Sequence, residues 1–339
     1  MSKGILLVNL GSPDSTETND VRRYLREFLS DPKVIDVWFV RNIILHLFIL
    51  PSRPKKSAEA YSKIWWEEGS PLIVITEKIL AKMKNFSEYP VEIGMRYGNP
   101  SIKAGLEKLH AQGCTEVVVL PLYPQYAMST TETVIEKAKK EAHKHFPNMQ
   151  LKFVAPFYND PEYISILAED IRRQIPSDCD KLVFSYHGIP ERHIYKTDPT
   201  DTCEIGKCCF KDFNPSHATC YRHQCYKTTD LVAKYLKLSK KEYIQTFQSR
   251  LGNDPWLQPY TDDTLEKLPG KGSKKIAVVA PAFVSDCLET LEELAMEGKE
   301  EFLHAGGEEF TYIDCLNDAD EFVHFLYKKS VDVLQNVID

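Results

Sequence analysis

Apolar residues along this chain recur in two forms. Short unbroken runs closed by Gly, Pro, Asn or Ser read as strands buried on both faces. Longer stretches with apolar residues three and four apart read as helices packed against them. The first strand is Lys3 to Leu10, ending in Gly11-Ser12-Pro13. Helical patterns follow to about Asp31 and again to Leu50, a third helix spans Lys56 to Glu68, and Pro71 opens a fourth at a first-turn position. Strands at Val91 to Met95, Val117 to Leu120 and Leu151 to Ala155 alternate with helices at Pro100 to Gln112, Ser129 to His145 and Pro161 to Gln174. In the second half, strands at Lys181 to Phe184, Tyr243 to Phe247, Lys275 to Ala280 and Phe310 to Asp314 alternate with helices at Gln224 to Leu236, Asp286 to His304 and Asn317 to Val337. Such alternation predicts α/β architecture, with parallel sheets and crossover helices.

The halves repeat each other. Ile5-Leu6-Leu7-Val8-Asn9-Leu10-Gly11-Ser12-Pro13 is similar to Leu182-Val183-Phe184-Ser185-Tyr186-His187-Gly188-Ile189-Pro190, and Val118-Val119-Leu120-Pro121 to Val278-Val279-Ala280-Pro281. Two α/β domains of similar plan are expected, residues 1–157 and 158–339, with the final helix placed to pack back on the first and a cleft between them as the default site. Periodicity fails from Glu191 to Thr219, and a structureless stretch of that length in a compact domain calls for something to order it.

Composition adds limits. A 339-residue chain with 43% hydrophobic and 27% charged residues suits soluble domains, and a net charge of −7 disfavours nucleic acid as a partner. No secretory signal is legible, so a cytoplasmic location is expected. The most apolar region, Val34 to Leu50, contains Asp36, Arg41, Asn42 and His46, which argues against a spanning helix. It reads as a core helix or as an interfacial one, with Arg53, Lys55 and Lys56 as a basic flank that would give peripheral contact with the inner membrane.

Three groups have chemistry. His187 ends a buried strand where the chain must turn at Gly188 and Pro190; carboxyl ends of strands are where open α/β sheets build sites, and imidazole exchanges protons near neutral pH. Glu289, Glu293 and Glu297 recur every four residues, a solvated acidic face or, if turned inward, a path for a hydrated divalent cation. Five of the nine cysteines lie between Cys203 and Cys225 as Cys203-x4-Cys208-Cys209-x10-Cys220-x4-Cys225. A cluster of this kind in a cytosolic chain favours metal over disulfides; zinc and an iron–sulfur centre are both open, with His217 and His223 permitting mixed ligation. Arg96 is suited to an acidic group, and Tyr97 and Tyr123 to a flat aromatic ligand.

At these residues the sequence resembles ferrochelatases, which insert ferrous iron into a porphyrin to make haem. The resemblance runs nearly end to end, through Leu10-Gly11-Ser12-Pro13, Arg53-Pro54-Lys55-Lys56, Gly69-Ser70-Pro71-Leu72, Arg96-Tyr97, Tyr123-Pro124-Gln125-Tyr126 and Ser185-Tyr186-His187-Gly188-Ile189-Pro190. It continues in Phe247-Gln248-Ser249-Arg250, Trp256-Leu257-Gln258-Pro259-Tyr260-Thr261-Asp262 and Asp286-Cys287-Leu288-Glu289-Thr290-Leu291. It implies two Rossmann-like domains, each a four-stranded parallel sheet flanked by helices, with porphyrin in the cleft. It implies His187 and Glu289 as the catalytic pair and the place of the Fe2+ substrate, with Glu293 and Glu297 as its path. Arg96, Tyr97, Tyr123, Trp256 and Phe283 fall at the porphyrin pocket, and Ile35 at the start of a pocket lip, Val34 to Lys56, that is apolar in membrane-associated members. Protoporphyrin IX is the expected substrate; the alternatives are coproporphyrin, or a non-catalytic haem or Fe–S sensor on the same fold. Cys287 stands where many relatives have histidine. The insertion, about residues 191–222, is similar to that of bacterial members holding a [2Fe–2S] cluster, which implies Cys203, Cys208 (or Cys209), Cys220 and Cys225 as ligands, with structural zinc as the alternative.

Overall fold

Eight of the apolar runs become strands, in two sheets of four with every pairing parallel. The computed structural model describes residues 2–250 and 254–337, so residues 251–253, in the expected loop Arg250 to Pro259, lie outside the described residues. The chain divides into two compact units. One comprises Met1–Tyr123, Met128–Ala155 and Asn317–Asp339, the other Pro124–Ala127 and Pro156–Leu316.

The first unit holds β1 (Ser2–Asn9), β2 (Val91–Met95), β3 (Cys114–Pro121) and β4 (Gln150–Phe153) in the order β2-β1-β3-β4. Ile5 is flanked by Val91 on one side and Val118 on the other. The central strands are apolar on both faces because helices cover both: Ile5 to Val8 and Val117 to Leu120 have no exposed surface. Helix Ile102–Ala111 lies close to the sheet because Gly105 has no side chain. A Cβ there would come within 2.5 Å of Leu6 Cδ1 and 2.6 Å of the Ile93 carbonyl oxygen. The last helix, Asp320–Gln335, belongs to this unit, and Lys82 bonds the Asp318 carbonyl at 2.6 Å and the Asp320 carboxylate at 2.8 Å.

The second unit repeats the plan. Its strands are β5 (Lys181–His187), β6 (Tyr243–Gln248), β7 (Lys275–Val279) and β8 (Glu309–Ile313), in the order β6-β5-β7-β8. The expected pair of four-stranded parallel sheets is thus present, with the first strand of each half second from the edge. Helix Pro161–Gln174 starts as a helix should: Asp160 accepts from the Glu162 amide at 2.9 Å, and Pro161 occupies the first turn. β5 runs three residues beyond the expected Phe184, which carries His187 to its last position.

Three departures from the periodic reading have local causes. The expected helices to Leu50 and from Lys56 are joined, a π-helical stretch Val40–Ile49 leading directly into helix Leu50–Ile64; Pro51 sits at its start and Pro54 is accommodated within it. The expected helix Asp286 to His304 is three segments: Leu288–Leu291, a π-helical Glu293–Gly298, and Lys299–His304. The amide of Glu297 bonds the carbonyl of Glu292 at 2.9 Å, five residues back, so the regular four-residue repeat of the glutamates is interrupted. The insertion has structure of its own: helix Glu191–Lys196 and single 3₁₀ turns at Cys208–Phe210 and Pro215–Ala218.

Candidate functional site

In the second unit, His187 closes β5, where Gly188 turns the chain. The Gly188 amide donates to the Gln248 carbonyl at 2.7 Å, and a Cβ on residue 188 would come within 2.8 Å of that same oxygen. The Nδ1 atom of His187 lies 2.6 Å from the Gly188 carbonyl oxygen. A carbonyl has no proton to give, so Nδ1 carries the hydrogen and donates. In its neutral form the ring then presents its lone pair at Nε2, which has no hydrogen-bond partner among the described residues. The strand end is held from behind: the Tyr221 hydroxyl donates to the His187 carbonyl at 2.9 Å.

Gln248, the last residue of β6, is paired with His187 in the sheet register. Its carboxamide makes three further contacts. Ser185 Oγ donates to its Oε1 at 2.8 Å, and its Nε2 donates to the Glu289 carbonyl at 2.8 Å and to Glu293 Oε2 at 3.3 Å. One side chain thus ties the strand ending in His187 to the segment with the glutamates. Ser249 follows in the left-handed conformation, φ +66°, and its hydroxyl donates to the same Glu293 oxygen. Neither Gln248 nor Ser249 was among the expected site residues. The signal was a polar pair directly after a buried strand, at a strand end level with His187.

The glutamates are not equivalent. Glu289 and Glu293 are half-buried, whereas Glu297 is exposed. Burial first, and then the neighbouring charge of Glu289, push the Glu293 carboxyl up to about 7; the bonds from Ser249 and Gln248 pull the other way. Their helix is anchored by Asp286, which accepts from Thr290 at 2.9 Å and from Tyr312 at 2.7 Å. Cys287 caps it: its sulfur accepts from the Thr290 backbone, while Thr290 Oγ1 accepts from the Cys287 amide at 3.0 Å. Burial holds the Cys287 thiol neutral, with a pKa well above the ordinary range. Phe283 lies edge-on to His187 with ring centres 6.3 Å apart. Trp256 packs its ring against Gly188 and is bridged to Pro190.

In the first unit, Arg96 and Tyr97 converge on Asp31. Arg96 donates to Asp31 and, through Nε, to Thr133 at 2.7 Å, while its guanidinium stacks on Tyr97 at 4.3 Å. Tyr97, fully buried, donates to Asp31 at 2.8 Å, as does Thr133 at 2.6 Å. Burial alone would raise the Asp31 pKa. Bonds from Thr133 and the Lys33 amide, the Arg96 charge and the Tyr97 hydroxyl overcome it and hold the carboxyl below its ordinary value. Tyr123 is half-buried against the core of the first sheet. Ile35 is buried, and its carbonyl accepts from Arg41 at 2.7 Å. Beyond it, Val37, Trp38, Phe39, Leu47 and Phe48 are all exposed, Trp38 and Phe48 at 63% each. Arg53, Lys55 and Lys56 are exposed too. Among the described residues no helix is long and apolar enough to cross a membrane.

The cysteines separate into two pairs and one outlier. Cys203 and Cys208 have their sulfurs 4.0 Å apart. Cys209 and Cys220 share a hydrogen bond, which with Arg222 draws the Cys209 thiol down to about 5 despite its burial. Burial, then the neighbouring Cys208, drive Cys203 up to about 12. Cys225 is not brought to them. Fully buried, it bonds Tyr221 and faces Tyr163 and Tyr186. Spacing contains the reason: Cys220 caps helix Tyr221–Tyr235, and five residues on, Cys225 is about 140° round the helix from it. His217 and His223 stack with ring centres 3.5 Å apart, and each uses a ring nitrogen on a loop carbonyl, that of Cys208 at 3.0 Å and of Cys209 at 2.9 Å. Among the described residues no three His, Cys, Asp or Glu side chains are grouped so as to hold a metal ion as they stand.

The ferrochelatase family model matches residues 2–332. A ferrochelatase of Ectopseudomonas mendocina is 46% identical over 322 residues, 94% of each chain. One from Pseudomonas fluorescens strain Pf0-1 is 49% identical over 318 residues, 93% of each chain. Among solved structures, SirB from Bacillus subtilis with Fe3+ matches at a TM-score of 0.58 and 14% identity, covering 99% of this chain and 97% of its own, a likeness of fold. With two parallel sheets of one plan and similarity to ferrochelatases over nearly its full length, the chain belongs to the ferrochelatase family and inserts ferrous iron into a porphyrin to form haem.

Proposed function

We propose that the porphyrin is metallated beside the strand end of the second unit, with His187 as the base and Glu289 as its acidic partner. The observation that carries this reading is the Nδ1 bond to the Gly188 carbonyl, which leaves Nε2 as the nitrogen open to a pyrrole proton at the strand end. Replacing two pyrrole protons by Fe2+ releases both, so the reaction needs a place for each. His187 Nε2 takes one and Glu289 the other, while Glu293, with a carboxyl titrating near neutrality, passes protons outward and Glu297 stands at the exposed end. Gln248 and Ser249 keep Glu293 in place. Trp256 and Phe283, packed beside Gly188 and His187, supply apolar surface for the ring. Arg96 and Tyr97 are committed to Asp31, so their part in porphyrin binding is indirect and offers no free charge; Tyr123 and Ile35 are the other first-unit residues assigned to the porphyrin.

The exposed apolar residues around Trp38 and Phe48, followed by Arg53, Lys55 and Lys56, suit peripheral contact with an anionic bilayer, and protoporphyrin, the more apolar substrate, suits delivery from one. For the thiols, the two close pairs would be the holders of a [2Fe–2S] centre, Cys203, Cys208, Cys209 and Cys220 in preference to a set with Cys225. When bound, such a centre would cross-link a loop that has little apolar core; iron insertion is not a redox step and asks no electron of it.

Four outcomes test these readings. Glu289→Gln and His187→Ala each lower kcat by about 100-fold or more while porphyrin still binds by fluorescence quenching, and in the parent enzyme kcat/KM for protoporphyrin exceeds that for coproporphyrin; full turnover by either variant removes the assignment. Glu293 has a raised pKa in the folded state. Its contribution to stability is therefore complete below about 4.5, the ordinary value, and is lost as pH rises through about 7. Between those limits the stability of the parent relative to Glu293→Gln falls by about 1.4 kcal/mol per pH unit, as urea titrations at successive pH values would record.

Protein purified without oxygen shows visible bands that bleach on reduction, with about two irons and two sulfides per chain. Cys209→Ser or Cys220→Ser removes the bands and Cys225→Ser leaves them; a colourless zinc protein turns the thiols into a structural zinc site. A Trp38→Ser/Phe48→Ser double variant loses about tenfold in co-sedimentation with anionic vesicles at unchanged turnover in detergent. Equal sedimentation of parent and variant would put the lip out of contact with the bilayer.

A further inference from the structure

Within the second unit, a cavity of about 530 Å³ lies between the 3₁₀ turn Cys208–Phe210, helix Tyr221–Tyr235 and the edge strand β6. The iron-insertion chemistry makes no use of it. Its volume is that of a site for a small organic molecule, roughly 300–1,000 Å³. On its wall is Gln245, only 7% exposed, and neither its Oε1 nor its Nε2 has a hydrogen-bond partner among the described residues. Burying an unpaired amide is costly, and a leucine of similar volume would avoid the cost. The carboxamide offers one acceptor and one donor side by side, and its complement is a planar edge presenting a donor next to an acceptor. The N6/N7 edge of adenine is such an edge.

The remaining wall agrees. Phe210 and Tyr226 meet edge to face at 4.6 Å, and Phe210 is 62% exposed, an aromatic surface on which a base can stack. Lys240 is neutralised by Asp230 at 3.0 Å. Lys211 and Lys227 have no carboxylate within ion-pair distance among the described residues, and they outnumber the one other carboxylate of the wall, Asp212. Unpaired ammonium groups at the rim of an aromatic pocket suit an anionic substituent on the bound ring.

We propose that this cavity binds an adenine mononucleotide, its base edge on Gln245, its ring against Phe210 and Tyr226, and its phosphate on Lys211 and Lys227. The proposal does not depend on the assignment of His187 and Glu289. Calorimetric titration of the full chain with AMP, IMP, adenosine and inorganic phosphate tests it. AMP binds, and IMP, which presents an acceptor in place of the N6 donor, binds about tenfold or more weaker. Lys227→Ala weakens AMP and leaves adenosine unchanged, at parental iron-insertion rate. Gln245→Leu abolishes the preference for AMP over IMP and melts no lower than the parent without nucleotide. No heat from AMP at several millimolar, equal AMP and IMP affinities, or phosphate alone binding as tightly as AMP would overturn the nucleotide site. So would a Gln245→Leu protein that no longer folds, since the amide would then be structural.

Discussion

The carboxamide of Gln248 is the constraint on which the rest of the candidate site depends. A strand end and a helix start are each poorly determined alone, because the last residues of both have unfilled backbone groups. Gln248 removes that freedom from two elements at once. Its backbone carbonyl fixes the turn after His187, and its amide fixes the Glu289 carbonyl and the Glu293 carboxylate. Ser185 in turn fixes the amide's orientation, since its hydroxyl donates to Oε1 and so directs Nε2 at the glutamates. A buried network in which every member has its partner specifies a single arrangement, whereas a half-satisfied one would cost more than it gave.

Two carboxylates in this chain, one buried and one half-buried, show how surroundings set charge. Asp31 is surrounded by donors, Arg96, Tyr97, Thr133 and the Lys33 amide, and stays ionised. Glu293 has two donors and a like charge beside it, and titrates near neutrality. Asp31 therefore behaves as scaffold, a fixed charge that clamps the ends of several segments within the first unit. Glu293 is able to change its proton occupancy at ordinary pH, which is the property a proton-handling site requires.

Much of the fold was legible in the sequence because its strands are buried on both faces. A short apolar run ended by Gly or Pro has few other readings, and Ile5 to Val8 or Val183 to Tyr186 leave no doubt about the layer they occupy. His187 was legible for the same reason, as the polar residue at the end of such a run. Residues whose role is set by direction rather than burial were not. Gln248 and Ser249 look like an ordinary polar loop until the strand register sets them level with His187. The regular spacing of Glu289, Glu293 and Glu297 suggested one helical face, but a π-helical segment interrupts it, and periodicity cannot register an extra residue per turn. Cys225 looked like one more ligand in a cluster until its position on the far side of a helix from Cys220 separated it from the other four.

The helix Tyr221–Tyr235 has one further implication, for anyone wishing to shorten this chain. Its first residue is the one whose hydroxyl holds the His187 carbonyl, and the residue capping it, Cys220, belongs to the cysteine-rich insertion. The insertion is therefore not a detachable ornament on a complete domain. Trimming it to a tight turn would require a new cap at position 220 and the same hydroxyl at 221.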